Sequence, residues 1–378
     1  VTALLDSVIL SGAAPGAVLG VSLRGIHRFA SSGQFGREDR TRPDSSTIYD
    51  LASLTKVIGL TTMVMLAVGE GRLAVDSPAV RYVPAFATGD AIRGTVTLRH
   101  LLTHSSGLPA WRPLYQETRT RADAFRLADT TPLEQAPGAK FTYSDLGAIV
   151  LTQAVEQVYH RRLDSLLGER VFHPLGMRDT RYLPSPAWLP RIAPTEDDPW
   201  RGRVLRGEVH DENAARLDGV SGHAGLFGSA RDLLRFADVL LAEWREGGKA
   251  GSCWVSRRGE GGKAGSAPAG PPALPPFRLP ALAEFARRQD LPPGSTRALG
   301  WDTPSATGSS AGTRLASRSF GHTGFTGTSI WIDPTRCLAI VLLGNRVHPT
   351  RDNPRWGPVR GLVADRVVEA LAADSVTH

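Results

Sequence analysis

Residues 57–68, Val57 to Val68, are apolar at nearly every position, and this stretch constrains the fold more than any other. A helix that is hydrophobic almost all round cannot lie on a surface and must be enclosed by other elements. Asp50 is read as its N-cap, and Gly69 and Gly71 end it. Burying such a helix takes a chain with layers to spare, and 378 residues with 41% hydrophobic content supply them. The length predicts two to three domains, or one large mixed domain carrying an insertion.

Where this helix begins, the sequence reads Ser53-Leu54-Thr55-Lys56. Positions three apart share a helix face, so the Ser53 hydroxyl and the Lys56 amine are expected side by side. A serine hydroxyl is a weak nucleophile until a neighbour takes its proton, and a lysine can act so only where its surroundings keep some of it neutral. Arginine cannot substitute, since it stays protonated. All but four of the 44 basic residues are arginine, so a lysine at this position stands out.

Along the chain, residues 16–32 read as two short strands broken at Arg24-Gly25. Short helices and turns follow from 72 to 130, including Leu98 to His104 and the sharp stop at Ser105-Ser106-Gly107-Leu108-Pro109. A second apolar helix is predicted over about 146–159, and another near 163–170. The glycine-rich run 219–228 is expected to be irregular, and Ser229 with Asp232 reads as the start of a helix ending at Gly247. Residues 247–280, where Gly-Gly-Lys-Ala-Gly-Ser occurs twice, read as a mobile insertion or surface loop, with a lid as the alternative. Thr328 to Asp333 alternates like a half-buried strand, Cys337 to Leu343 is apolar throughout like a central one, and a last helix covers about 356–373.

Strands at both ends with helices between predict an α/β (α+β) fold. One antiparallel sheet would be built from the N- and C-terminal segments (residues 1–70 and 229–378), flanked by helices. A mainly helical domain (71–228) is inserted into it, with the active site between the two.

A net charge of +7 and a pI near 9.8 do not signal nucleic acid, because the arginines are scattered among 37 acids and no recognition motif appears. The apolar runs are too short to span a bilayer, and no signal peptide is visible in the given chain. The chain thus reads as soluble, in a compartment left open. Cys253 and Cys337 form neither a disulfide framework nor a zinc site, and whether they pair is not readable. His210, Asp211, Glu212 and His223 meet no metal-ligand spacing. No metal and no cofactor is expected.

Acyl transfer needs a proton carrier and donors for an oxyanion. Tyr143-Ser144-Asp145 places a phenol at a helix start with a carboxylate two residues on, which could hold Lys56. Gly321-His322-Thr323-Gly324-Phe325 precedes a strand pair, where the Phe325 N–H can join that of Ser53 as an oxyanion site, and its glycines would let a substrate backbone approach.

The order Ser-x-x-Lys, Tyr-Ser-Asp, His-Thr-Gly, with Leu101-Leu-Thr-His-Ser-Ser-Gly-Leu-Pro109 between, resembles the serine β-lactamase and penicillin-binding-protein superfamily. The likeness is to the branch of class C β-lactamases, D,D-carboxypeptidases and family VIII esterases. The resemblance implies Ser53 as the acylated nucleophile, Lys56 as its general base and Tyr143 as the second proton carrier. Asp145, His322, Thr323, Gly324 and Phe325 would bind substrate. Two positions depart from the family pattern: Asp145 stands where asparagine is usual, and His322 where lysine is common. A neutral His322 gives up the charge that holds a carboxylate, so esters or other amides are expected over β-lactams, and His322→Lys is expected to improve capture of carboxylates. Residues 192–196, 206–213 and 222–227 look similar to a subgroup associated with cell-wall muropeptides.

The expected function is a serine hydrolase working through an acyl-enzyme on a small-molecule ester, amide or peptide: a carboxylesterase or a cell-wall peptide hydrolase, and a weak β-lactamase at best. The alternative is a penicillin-binding or sensing protein acylated with little turnover. The oligomeric state is not encoded in any motif.

Overall fold

The computed structural model describes residues 2–246, 249–250, 253, 279 and 281–376. The strands that position the site are β1 (Gly16–Leu23), β2 (Ile26–Gly33), β3 (Ile48–Asp50), β4 (Arg181–Tyr182), β5 (Leu226–Ser229), β6 (Phe320–Gly324), β7 (Thr328–Asp333) and β8 (Leu338–Gly344). The helices used below are α1 (Thr2–Leu10), α2 (Thr62–Gly69), α3 (Leu98–Leu102), α4 (Asp145–Tyr159), α5 (Glu212–Arg216), α6 (Ala230–Glu243) and α7 (Val359–Val376).

Both ends of the chain do build one antiparallel sheet, in the order β6-β7-β8-β1-β2. The β1–β8 register runs from Ala17 opposite Gly344 to Leu23 opposite Leu338. Alternation along these strands divides their side chains between two faces. Ala17, Leu19, Leu338, Ile340 and Leu342 pack with Leu5 and Val8 of α1 and Val359, Val363 and Val367 of α7. Val18, Ala339, Val341 and Leu343 point the other way, into the cluster that holds Leu233, Phe236 and Leu240 of α6. Because both faces are covered, β8 is apolar at every position rather than at every second one.

The all-apolar helix is enclosed as its composition demands. It passes through a π-helical stretch, Lys56–Thr61, before α2, and its Val57, Ile58, Leu60, Met63 and Val64 lie in one core with Leu101 of α3 and Ile149 and Val150 of α4.

Three expectations are corrected. Residues 226–229 are not irregular: they form β5, the middle of a small sheet ordered β3-β5-β4. Strands this short show too little periodicity to be read. Asp50 does not cap a helix; it ends β3, and its carboxylate accepts the Ala52 N–H at 2.8 Å in the turn before Ser53. Finally, α6 stops at Glu243. Cys253 and Cys337 form a disulfide. Most of the 247–280 segment lies outside the described residues, as does the reading of it as a lid. No described helix is long and apolar enough to cross a membrane.

Candidate active site

The turn that presents Ser53 is held from two sides. Asp50 accepts the backbone N–H groups of Ala52 and of His210, the latter at 2.7 Å. Ala52 has φ 45°, a left-handed conformation that costs an L-residue about 1–2 kcal/mol and survives only where surroundings enforce it. The β6–β7 hairpin enforces it: the Thr326 hydroxyl donates to the Asp50 carbonyl (2.7 Å) and the Thr328 hydroxyl to that of Leu51 (3.0 Å). Gly324 is glycine for the same reason. A Cβ there would stand 2.5 Å from the Leu51 carbonyl oxygen and 2.1 Å from the Thr328 hydroxyl. The Cβ side of Gly324 is therefore filled by the turn carrying Ser53. Among the described residues, neither the Ser53 nor the Phe325 backbone N–H donates to a protein acceptor.

Lys56 is buried at the centre of the site. Its Nζ donates to Ser53 Oγ and to the His223 carbonyl oxygen, each at 3.0 Å, and lies 2.6 Å from Asp145 Oδ1 as an ion pair. It also sits 4.9 Å from the centre of the Tyr143 ring. Burial alone would lower its proton affinity, but Asp145 and Tyr143 outweigh that and raise it above the usual lysine value. Lys56 is thus an ammonium ion at neutral pH.

Tyr143 and Asp145 reach Lys56 because the loop before α4 is tied to the stretch after α3. Ser144 caps α4 by accepting the Gly147 N–H and donates its hydroxyl to the Pro109 carbonyl at 2.7 Å. The Ser144 N–H donates to His104 Nδ1 (3.0 Å), and the Asp145 N–H to the Ala110 carbonyl (3.0 Å). The His104 ring lies against that of Tyr143, with centroids 4.5 Å apart. Burial, then the charges of Arg297 and Lys56, hold His104 well below the ordinary histidine range, so it is a neutral acceptor.

His322 is neutral as expected, and for similar reasons: burial first, then Arg297 and Lys56. Its Nδ1 lies 2.7 Å from the Thr323 carbonyl, which can only accept, so Nδ1 carries the proton and Nε2 faces Arg297 Nη1 at 3.4 Å. The missing positive charge is supplied by arginines that no sequence motif marked. Arg297 lies over the rings of Phe141 and Tyr143, at 5.2 and 5.3 Å, with Asp302 at 3.7 Å. Arg360 donates to the Gly324 carbonyl at 2.7 Å, and Arg346 to that of Phe325 at 2.7 Å. Burial and the neighbouring Arg346 bring Arg360 down to about 10. Among the described residues neither Arg346 nor Arg360 is ion-paired with a carboxylate.

A cleft of about 680 Å³, well within the range of small-molecule sites, brings together Ser53, Tyr143, Asp145, His322, Thr323, Gly324 and Phe325, with all three arginines. His210, Asp211 and Glu212 also line it, but as partners of Glu196, His223 and Arg351, respectively.

Comparisons with known proteins agree on what this arrangement resembles. A family model described as Beta-lactamase matches residues 1–365. A putative D-alanyl-D-alanine carboxypeptidase of Salmonella schwarzengrund (strain CVM19633) is 32% identical over 345 residues, covering 84% of this chain and 73% of that protein. Among solved structures, a penicillin-binding protein homologue from Caulobacter crescentus superposes with a TM-score of 0.71 at 18% identity, covering 98% of this chain and 97% of that one. A class C beta-lactamase from Rhodobacter sphaeroides does so with a TM-score of 0.68 at 21% identity, covering 96% and 97%. At these identities the structural likeness shows the fold.

Proposed function

Because the chain belongs to the beta-lactamase family and is an enzyme of the serine hydrolase type, we propose that it cleaves esters and amides through an acyl-enzyme on Ser53 and prefers substrates that carry a carboxylate. The observation behind the preference is the set of guanidinium groups, Arg297, Arg346 and Arg360, in the cleft that also holds Ser53. Guanidinium groups bind carboxylates through charge-assisted hydrogen bonds. The curated relative named a putative D-alanyl-D-alanine carboxypeptidase supports a peptide with a free C-terminus as that substrate.

In the first step Ser53 Oγ attacks the carbonyl carbon, and the N–H groups of Ser53 and Phe325 receive the developing oxyanion. Lys56, held protonated beside Asp145, has no lone pair to offer, so the role of general base does not rest on it. Tyr143 is the carrier instead: it takes the Ser53 proton while passing its own to the leaving group. The Lys56 charge stabilises the negative charge that builds during this exchange. Water then releases the acyl group by the reverse path.

The test compares a peptide ending in D-alanyl-D-alanine with its C-terminal methyl ester, using the wild-type protein and Ser53→Ala. The free acid should have the higher kcat/KM, and Ser53→Ala should abolish turnover of both. Equal kcat/KM for the two forms removes the carboxylate preference, and undiminished turnover in the variant removes the nucleophile. The locked ammonium also supports a second reading, a protein acylated with little turnover. In that case intact-mass spectrometry after mixing with a penicillin finds a persistent adduct without product.

A further inference from the structure

We propose that Asp211 holds the water that hydrolyses the acyl-enzyme, an inference that rests on Ser53 being the acylated residue. Four carboxylates line the cleft: Asp145, Asp211, Glu212 and Asp302. Glu212 is engaged by Arg351 at 2.7 Å, and Asp302 accepts from Thr296 and Thr303 and faces Arg297. Asp145 pairs its charge with Lys56 through Oδ1 at 2.6 Å, with no hydrogen bond among the described residues to fix either oxygen. Asp211 is held differently. Its Oδ1 accepts the Ala214 N–H at 2.7 Å and lies 2.9 Å from His223 Nε2, while no group among the described residues bonds Oδ2. One carboxylate oxygen is fixed by protein, and the other is left to the cleft.

His223 ties this carboxylate to the reacting centre. Its ring meets Asp211, and its backbone carbonyl meets Lys56, which in turn meets Ser53. The segment that carries it is pinned throughout. Ser221 Oγ lies 2.7 Å from His223 Nδ1, the Tyr182 hydroxyl donates to the Ser221 carbonyl at 2.8 Å, and the Gly222 N–H donates to Thr152 Oγ1 at 2.8 Å. A shift of Asp211 is therefore resisted by the same backbone that orients Lys56.

In the deacylation step the water oxygen bonds to the acyl carbon and the Ser53 Oγ–carbon bond breaks. One water proton passes through Tyr143 to Ser53 Oγ, and the other points at Asp211 Oδ2. Asp211 gains no proton in this sequence; it orients the nucleophile. His223 keeps it well below the usual carboxylate range, against the effect of burial, which suits an acceptor of hydrogen bonds and not of protons.

Asp211→Asn tests this directly. Its amide oxygen can keep both the Ala214 and the His223 bonds, while its NH₂ offers the cleft donors in place of an acceptor. With p-nitrophenyl acetate, kcat and KM should fall together by roughly 10- to 100-fold, as expected when an oriented hydrogen bond to the nucleophile is lost. Their ratio, which reports acylation, should stay within about twofold. An acetyl adduct on Ser53 should accumulate by mass spectrometry, and hydroxylamine, a stronger nucleophile than water, should restore turnover. His223→Gln, which leaves the carboxylate in place but loosens it, should show the same pattern to a smaller degree. A fall in kcat/KM matching that in kcat, with no adduct, overturns the proposal, as does an unchanged kcat. If the wild-type protein itself never labels at Ser53, the acyl-enzyme reading fails. If it labels but Asp211→Asn loses the label at the wild-type rate, only the inference about Asp211 fails.

Discussion

Replacing Asp145 with asparagine restores the residue usual in this family and removes the charge opposite Lys56. Two unit charges 2.6 Å apart interact by about 6 kcal/mol at an effective dielectric of about 20. Much of that is offset by desolvation, and removing one partner of a buried pair costs about 3–5 kcal/mol overall. The asparagine carbonyl still offers Lys56 an acceptor, which puts the loss near the lower figure. At about 1.4 kcal/mol per pKa unit, the Lys56 proton affinity should fall by roughly two units. In the wild-type protein Lys56 is protonated across the usual assay range. In the variant a neutral fraction should appear on the alkaline side, and kcat/KM for p-nitrophenyl acetate should gain a rising limb between about pH 8 and 10 as that fraction takes the Ser53 proton. Stability carries a sign of its own. The folded-state pKa of Lys56 is raised, so its contribution is fully present below the ordinary lysine value of 10.5 and is lost as pH rises through the higher folded value. The wild-type advantage in Tm, about 4 °C for a chain this long, should therefore be constant from pH 6 to 9. An unchanged Tm together with an unchanged pH–rate profile would refute the assignment of Asp145 as the group that keeps Lys56 charged.

Two further substitutions separate the arginines from His322. Arg297→Gln should raise KM for a carboxylate-bearing substrate roughly 10- to 100-fold, the worth of one charge-assisted hydrogen bond, while KM for a neutral ester changes by less than about threefold. His322→Lys, read from sequence alone as a gain, instead places an ammonium beside the Arg297 guanidinium, 3.4 Å from the present imidazole nitrogen. It should lower Tm and bring no gain in carboxylate capture, as steady-state kinetics on the free acid and the methyl ester will show.

The parts legible in the sequence were those in which chemistry and chain direction coincide. Ser53 and Lys56 share a helix turn, Tyr143 and Asp145 flank one cap, and His322 to Phe325 are consecutive, so short motifs carried them. The sheet was legible because β8 is apolar throughout and β1–β2 turn at Arg24-Gly25. Arg297, Arg346 and Arg360 come singly from separate segments, and in a chain so rich in arginine a lone one carries no signal. His104 lay inside a stretch already noticed, but its bond to Ser144 spans 40 residues and follows no spacing rule. Gly324 was noticed for its freedom, yet it is required for contact with a turn more than 270 residues away, at Leu51.

The pairing of β1 with β8 sets a delay in the making of this protein. Ala17 leaves the ribosome roughly 330 residues before its partner Gly344, which at about 5–20 residues per second is roughly 15–65 s. Throughout that interval the β1–β2 hairpin exposes an unpaired apolar edge, the kind of edge that recruits other chains. The same delay separates Ser53 from the groups that hold its turn. The Thr326 and Thr328 hydroxyls that hold the Ser53 turn, and the Phe325 N–H beside it, are synthesised more than 270 residues after Ser53. A cell making this enzyme has a long interval in which to need a chaperone before β8 closes the sheet.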